Sequence, residues 1–339
     1  MEEADRTPVT VLTGFLGSGK TTLLNAWLRS PDLSDAAVIV NEFGEIGIDH
    51  SLIASSNDNT IELSTGCLCC TVRGDLVETL RELTEKRARG EVRPFSRVLI
   101  ETTGLADPVP VLQALITFPV ARVYRLSRVV TVVDAVQGLA TIERHPEALK
   151  QVAVADELVL SKTDLDTPQL AELQARLRRL NPGATQEIST RAKLHDGFDV
   201  YHPAAKPEQV NEWLRAEAVE HHHHHDVNRH SKEIGSFALS YDQPLHWEHV
   251  AAWLDSLVLA HADDLLRVKG ILDIRGQAQP IVVQAVQRLF HPPARLAAWP
   301  KGERRSRIVF ITRGLTRGFV SEVFDTIRTR EIKEKAWTA

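Results

Sequence analysis

Val9-Thr-Val-Leu-Thr-Gly-Phe-Leu-Gly-Ser-Gly-Lys-Thr-Thr22 is the stretch that decides the fold. An apolar, β-branched run (Val9, Val11, Leu12) feeds into Gly14-Phe-Leu-Gly-Ser-Gly-Lys20-Thr21, and a helix start, Thr22-Leu-Leu-Asn-Ala-Trp-Leu28, follows at once. Strand, glycine-rich turn and helix in that order are the context in which G-x-x-x-x-G-K-[ST] cradles phosphate. Glycines at 14, 17 and 19 let successive N–H groups turn inward, and the new helix adds its positive end. Lys20 supplies a mobile charge for the β- and γ-phosphates, and the Thr21 hydroxyl suits Mg²⁺. The expected phosphate set is Gly14, Gly17, Ser18, Gly19, Lys20, Thr21 and Thr22. A mere strand-to-helix turn would need neither the Lys-Thr pair nor both flanks.

The remaining chain fits around that loop. At 339 residues, two domains are expected. A 43% hydrophobic share is enough to bury two cores. A net charge of −5 argues against a general nucleic-acid surface. No apolar run approaches the roughly 18 residues of a membrane span. The polar start MEEADRTP carries no signal-peptide pattern. All three cysteines fall within four residues, which excludes a disulfide framework and points to a reducing, cytoplasmic setting.

Up to about Ile188, short β-branched runs alternate with amphipathic stretches, the pattern of an α/β fold with a mostly parallel sheet flanked by helices. Strands are predicted at Val9–Thr13, Ala37–Asn41, Thr60–Leu63, Arg97–Glu101, Val129–Asp134, Glu157–Leu160 and Thr185–Ile188. Leu76, Val77, Leu80 and Leu83 recur at helical spacing, in a helix expected to begin near Gly74-Asp75. Leu170, Leu173, Leu177 and Leu180 form a second stripe, stopped by Asn181-Pro-Gly. Periodicity then fades across a linker that holds His221–His225, either a solvated run or a collector of metal ions. From Ile234 a second pattern begins. Strands are expected at Ser236–Tyr241, Leu265–Ile274, Ile281–Leu289 and Arg307–Thr312, with a helix over His246–Val258. A last helix is expected to bury Phe319, Val323, Phe324 and Ile327. His246 and His249, at i, i+3, are read as domain surface. The predicted division is a P-loop domain over 1–195, a His-containing linker over 196–233 and a smaller C-terminal α+β domain over 234–332.

Three further stretches fit a nucleotide switch. Val98-Leu-Ile-Glu-Thr-Thr-Gly104 is an apolar strand ending in a carboxylate, with Glu101 placed for a Mg²⁺-bound water and the Gly104 N–H for a γ-phosphate. Asn41-Glu-Phe-Gly-Glu-Ile-Gly-Ile-Asp49 mixes carboxylates with glycines after a strand, as a switch would. Ser161-Lys162-Thr-Asp164 is similar to the guanine-reading Asn-Lys-x-Asp motif, with Ser in place of Asn and the loss of one amide contact. The Asp164 carboxylate can accept from both N–H donors of guanine, a pair adenine lacks. GTP is therefore favoured over ATP.

Gly66-Cys67-Leu-Cys69-Cys70 puts three thiols within reach of one ion. Thiolates select Zn²⁺, Co²⁺, Cu⁺ or iron over Mg²⁺, and a nearby helix N-terminus lowers thiol pKa. Three ligands leave a tetrahedral site open, which suits an ion to be handed on. Glu42, Glu45, His50 or water is a candidate fourth ligand. A Cys67/Cys70 redox pair and buried inert thiols are the competing readings.

Together, Gly14–Thr21, Asn41–Asp49, Cys67–Cys70, Glu101-Thr-Thr-Gly-Leu-Ala-Asp-Pro108 and Ser161–Asp164 resemble the CobW-type metal-chaperone GTPases. The resemblance extends over nearly the whole chain, including Leu266-Arg-Val-Lys-Gly-Ile-Leu-Asp-Ile274 of the second domain. It implies a cytoplasmic protein that binds Mg²⁺–GTP and takes up a transition metal at Cys67, Cys69 and Cys70. Hydrolysis then releases the metal to a client, with Lys20, Thr21 and Glu101 acting in the reaction. The expected cargo is zinc; the first alternative keeps the GTPase and changes the metal to cobalt or iron, and the second is a zinc sensor or store with a regulatory GTP site. A homodimer is compatible with the resemblance.

Overall fold

The computed structural model describes residues 6–30, 33, 35–41, 60–63, 71–189, 234–296, 298, 299 and 304–329. The chain divides into two compact units, Met1–Ala205 and Lys206–Ala339.

The first unit is a seven-stranded sheet in which every strand pair runs parallel. Its strands are β1 (Thr7–Gly14), β2 (Ala36–Asn41), β3 (Thr60–Leu63), β4 (Arg97–Glu101), β5 (Tyr124–Asp134), β6 (Glu157–Ser161) and β7 (Thr185–Ile188), in the order β3-β2-β4-β1-β5-β6-β7. The central β1 is sealed on both faces, which is why it reads as a nearly unbroken apolar run. Helix α1 (Lys20–Leu28) lays Leu23, Leu24 and Trp27 on Leu12, Val38, Leu99, Val130 and Val132, a dry core that anchors the strand-to-helix turn. Its other α-helices among the described residues are α2 (Thr71–Ala88), α3 (Val109–Ile116), α4 (Gly138–Arg144), α5 (Pro146–Val154) and α6 (Leu170–Leu180). Helix α2 starts at Thr71, ahead of the expected Gly74-Asp75. Burial of Leu76, Leu80 and Leu83 outweighs the roughly 1 kcal/mol that a helical glycine costs.

Because all strands point the same way, the C-terminal ends of β1, β4, β5 and β6 meet on one edge of the sheet. Gly14, Glu101, Asp134 and Ser161 lie there side by side. Ligands of open α/β sheets bind at such an edge.

The second unit is an antiparallel sheet of β8 (Ile234–Tyr241), β9 (Leu265–Leu272), β10 (Ile281–Val286), β11 (Leu289–Phe290), β12 (Ala294–Arg295) and β13 (Ser306–Arg313). Among the described residues two helices accompany it, α7 (Trp247–His261) and α8 (Arg317–Arg328). Trp253 of α7 is fully buried between Phe310 (ring centroids 5.5 Å apart) and Phe324 (4.5 Å), and its Nε1 donates to the Val320 carbonyl at 3.0 Å. The expected inner stripe of α8 needs correction. Thr316 caps the helix by accepting from the Phe319 N–H, and the buried pair is Val320 and Phe324 at i, i+4. Phe319 lies about 100° round the helix from Val320, is 39% exposed, and makes a T-shaped contact with His261.

Candidate functional site

Three glycines give the loop after β1 its shape. Gly14, Gly17 and Gly19 all have positive φ. At Gly14 the need is absolute, because a Cβ would stand 2.4 Å from the Val132 carbonyl and 2.8 Å from Ser18 Oγ. Gly19, left-handed at φ 94°, turns the chain into α1 without a side-chain cap, and the first turn holds no acidic residue. The leading N–H groups of α1 therefore remain available to an anion. Lys20 is buried at the loop, and its Nζ donates to the Phe15 carbonyl at 3.3 Å. The Phe15 ring stacks on His145, between α4 and α5, at 4.5 Å.

Across the sheet edge, Thr21 Oγ1 donates to Glu101 Oε1 at 2.8 Å. Two buried contacts hold the strand ends so that this meeting is reproducible: Thr102 Oγ1 to Thr13 Oγ1 at 2.8 Å and the Thr102 N–H to the Leu12 carbonyl at 2.9 Å. A hydroxyl and a carboxylate so close, beside a buried lysine and open helix N–H groups, form an all-oxygen donor set. That chemistry fits Mg²⁺ next to a polyphosphate and does not fit a soft metal. Gly104 lies against the same loop, where a Cβ would be 2.5 Å from Leu16 Cα. No side chain fits there, so the segment after Glu101 rides directly on the phosphate loop.

Ser161 ends β6 and turns inward. Its Oγ donates to the Ser18 carbonyl at 2.6 Å, tying the fourth strand end to the phosphate loop. Lys162 adopts a left-handed φ of 57° and sends Nζ to Asp134 Oδ2 at 2.6 Å. Asp134 Oδ1 accepts from the N–H groups of Val136 (2.8 Å) and Gln137 (3.1 Å). Burial pushes the Asp134 carboxyl up, but Lys162 and these two N–H groups outweigh it and hold the carboxyl below the usual range. Asp164, two residues on, is exposed. Behind the loop lies a cavity of about 360 Å³, bounded by Phe15 to Ser18, the end of β5, α4 and α5.

The first unit matches the family profile described as CobW/HypB/UreG, nucleotide-binding domain, over residues 8–187. The chain belongs to the CobW family. The family's second profile, the cobalamin synthesis protein cobW C-terminal domain, matches residues 234–328. Among similar proteins is the zinc chaperone YjiA of Escherichia coli, 34% identical over 310 residues, covering 89% of this chain and 93% of that one. The zinc chaperone CobW of Pseudomonas aeruginosa is 32% identical over 330 residues, covering 86% of this chain and 83% of that one. The crystal structure of Zn(II)-bound YjiA GTPase from E. coli superimposes with a TM-score of 0.70 at 28% identity, covering 96% of this chain and 99% of that one.

On this CobW-family scaffold the expected phosphate residues, Gly14 to Thr22, fall on one turn, with Glu101 and Gly104 against it and Ser161 and Lys162 beside it. The expected metal residues Cys67, Cys69, Cys70 and Glu42 lie outside the described residues, as do the switch stretch from Glu42 to Asp49 and His221–His225. Among the described residues no three His, Cys, Asp or Glu side chains gather to hold a metal ion. His246 and His249 come together at 5.3 Å without a third ligand. No helix among the described residues is long and apolar enough to cross a membrane.

Three residues of the site carry roles that the sequence reading did not assign. Asp134 was expected only as a strand end, although a carboxylate closing a strand next to β1 is a recognisable signal. Lys150 and Gln151 on α5 engage the segment after Glu101, and an isolated Lys-Gln pair in a helix carries no such signal.

Proposed function

We propose that the chain is a GTP-hydrolysing zinc chaperone that works in the cytoplasm. The observation that carries the reading is the 2.8 Å contact between Thr21 Oγ1 and Glu101 Oε1 beside Lys20, the arrangement a Mg²⁺-bound triphosphate requires. The names of the similar proteins, zinc chaperones and a zinc-bound GTPase, supply the cargo.

In this mechanism the N–H groups of Gly17 to Thr22 and the Lys20 ammonium hold the phosphates, and Asp164 accepts from guanine. Thr21 would hold Mg²⁺ directly and Glu101 through a bound water, and the ion would supply charge neutralisation for the phosphates. Lys20 adds charge where the transition state spreads it. The Gly104 segment, resting on Leu16, registers whether a γ-phosphate is present. Cys67, Cys69 and Cys70, with Glu42 as a candidate fourth ligand, receive zinc, and a metal-requiring client protein receives it in turn. The working division of the chain is 1–195, 196–233 and 234–332, with the histidine run placed in the linker.

A metal titration tests the proposal. Zn²⁺ and then Co²⁺ are titrated against the full chain with Mg²⁺ and a non-hydrolysable GTP analogue, and again with GDP. If the switch and the thiols share moving parts, the two nucleotide states should differ by about 5–150-fold in metal affinity, the usual range for coupled sites. Cys67→Ser should erase the difference, and Lys20→Ala should abolish GTP hydrolysis. Equal affinities in both states would leave a GTPase that merely binds metal.

A further inference from the structure

Two adjacent side chains of α5 grip the segment that follows Glu101, and neither belongs to the phosphate or base machinery. Gln151 is buried, 1% exposed, and its Nε2 splits between the carbonyls of Gly104 (3.2 Å) and Ala106 (3.1 Å). Lys150 Nζ reaches Asp107 Oδ2 at 2.6 Å, while Asp107 Oδ1 accepts from the Val109 N–H that opens α3 (3.0 Å). Thr131 Oγ1, on β5, donates to the carbonyl of Gln151 itself at 2.8 Å, so α5 is fixed to the strand beside β1. The segment Gly104–Asp107 is thus held from behind by α5, while Gly104 presses in front on Leu16 of the phosphate loop.

We infer that Gln151 is a positioning residue for the γ-phosphate, setting how the Gly104 segment meets the phosphate loop; this rests on the GTP-hydrolysis reading above. A primary amide is suited to the task. It donates to two carbonyls at once, it brings no charge into a buried position, and its length spans from α5 to the segment after β4. A glutamate of the same shape would present acceptors to acceptors, and a methionine would leave both carbonyls without that donor. The group acts through Gly104 and touches no substrate. Losing it should therefore disturb what happens only when a γ-phosphate is present.

The test measures GDP binding, GTP KM and GTP kcat in the full chain for the unaltered protein, Gln151→Met and Gln151→Glu. GDP affinity should stay within about twofold and KM nearly constant, while kcat falls by about 10–100-fold, the scale of a small misplacement at a reacting centre. Lys150→Ala, which frees the same segment from a half-buried position, should lower kcat by a smaller factor with GDP binding kept. A kcat unchanged in Gln151→Met, or GDP affinity and kcat falling in equal proportion, overturns the inference. If neither Gln151 variant folds, an unchanged kcat in Lys150→Ala overturns it instead. Absence of GTP hydrolysis in the unaltered chain would instead remove the functional reading itself.

Discussion

Ser161→Ala is the sharpest probe of how the site is assembled. The serine stands where a guanine-reading motif would carry asparagine, yet its hydroxyl donates to the Ser18 carbonyl, 2.6 Å off. Ser161 is 7% exposed and Ser18 is 3% exposed, so little water is at hand to replace the lost donor. A buried carbonyl stripped of its partner costs about 1–3 kcal/mol. In the free protein the loop can relax to recover part of that, whereas bound phosphate forces it back into shape. Most of the loss should therefore appear in binding, as about 1–2 kcal/mol or roughly 5–30-fold weaker nucleotide affinity. The contact is to the phosphate loop, so guanine and adenine nucleotides should weaken by the same factor. Competition titrations of GDP and ADP against a fluorescent nucleotide measure both, with thermal melting of the free protein as the control. Unchanged affinity, or a loss confined to guanine nucleotides, would refute the reasoning.

Asp164→Asn should instead act on the base alone, erasing most of a GTP-over-ATP preference of at least about tenfold, or 1.4 kcal/mol; equal affinities in the unaltered protein would remove the guanine assignment. Asn181 is fully buried and its Nδ2 donates to the carbonyls of Val152 (2.8 Å) and Ala155 (2.9 Å) at the end of α5. Asn181→Ala should cost about 2–3 kcal/mol of stability, read by denaturant unfolding, since it strips the donor from buried carbonyls. The lowered pKa of Asp134 makes its ionised form a source of stability, fully present above the ordinary carboxylate value of about 4 and lost as pH falls through the folded value. The stability gap between the unaltered protein and Asp134→Asn should therefore close as melts are taken from neutral pH to below about 4, and a gap that widens on acidification would contradict the Lys162 pairing.

Local signals carry the first unit because its chemistry and its folding ask for the same residues. A strand buried on both faces must be apolar, a loop that wraps phosphate must place glycine where φ is positive, and a helix on the sheet must show a stripe. Val9 to Thr22, Leu76 to Leu83 and Leu173 to Leu180 satisfy those demands within short windows, so their elements are legible. The C-terminal unit shows where such reading stops. Phe319 and Val320 are apolar neighbours in α8, yet Val320 is the buried one, on the side of the helix whose backbone meets Trp253 of α7. Arg267 and Lys269, charged residues in β9, are 0% and 2% exposed, a burial that their residue type does not announce. At the nucleotide site the strand ends each announce a polar residue, but not which one it will meet. That Ser161 reaches Ser18, that Lys162 pairs with Asp134, and that Gln151 holds Gly104 are contacts between residues 143, 28 and 47 positions apart. A side chain's chemistry is written at its own position, whereas its partner is chosen by strand order and register, which exist only once the sheet has formed.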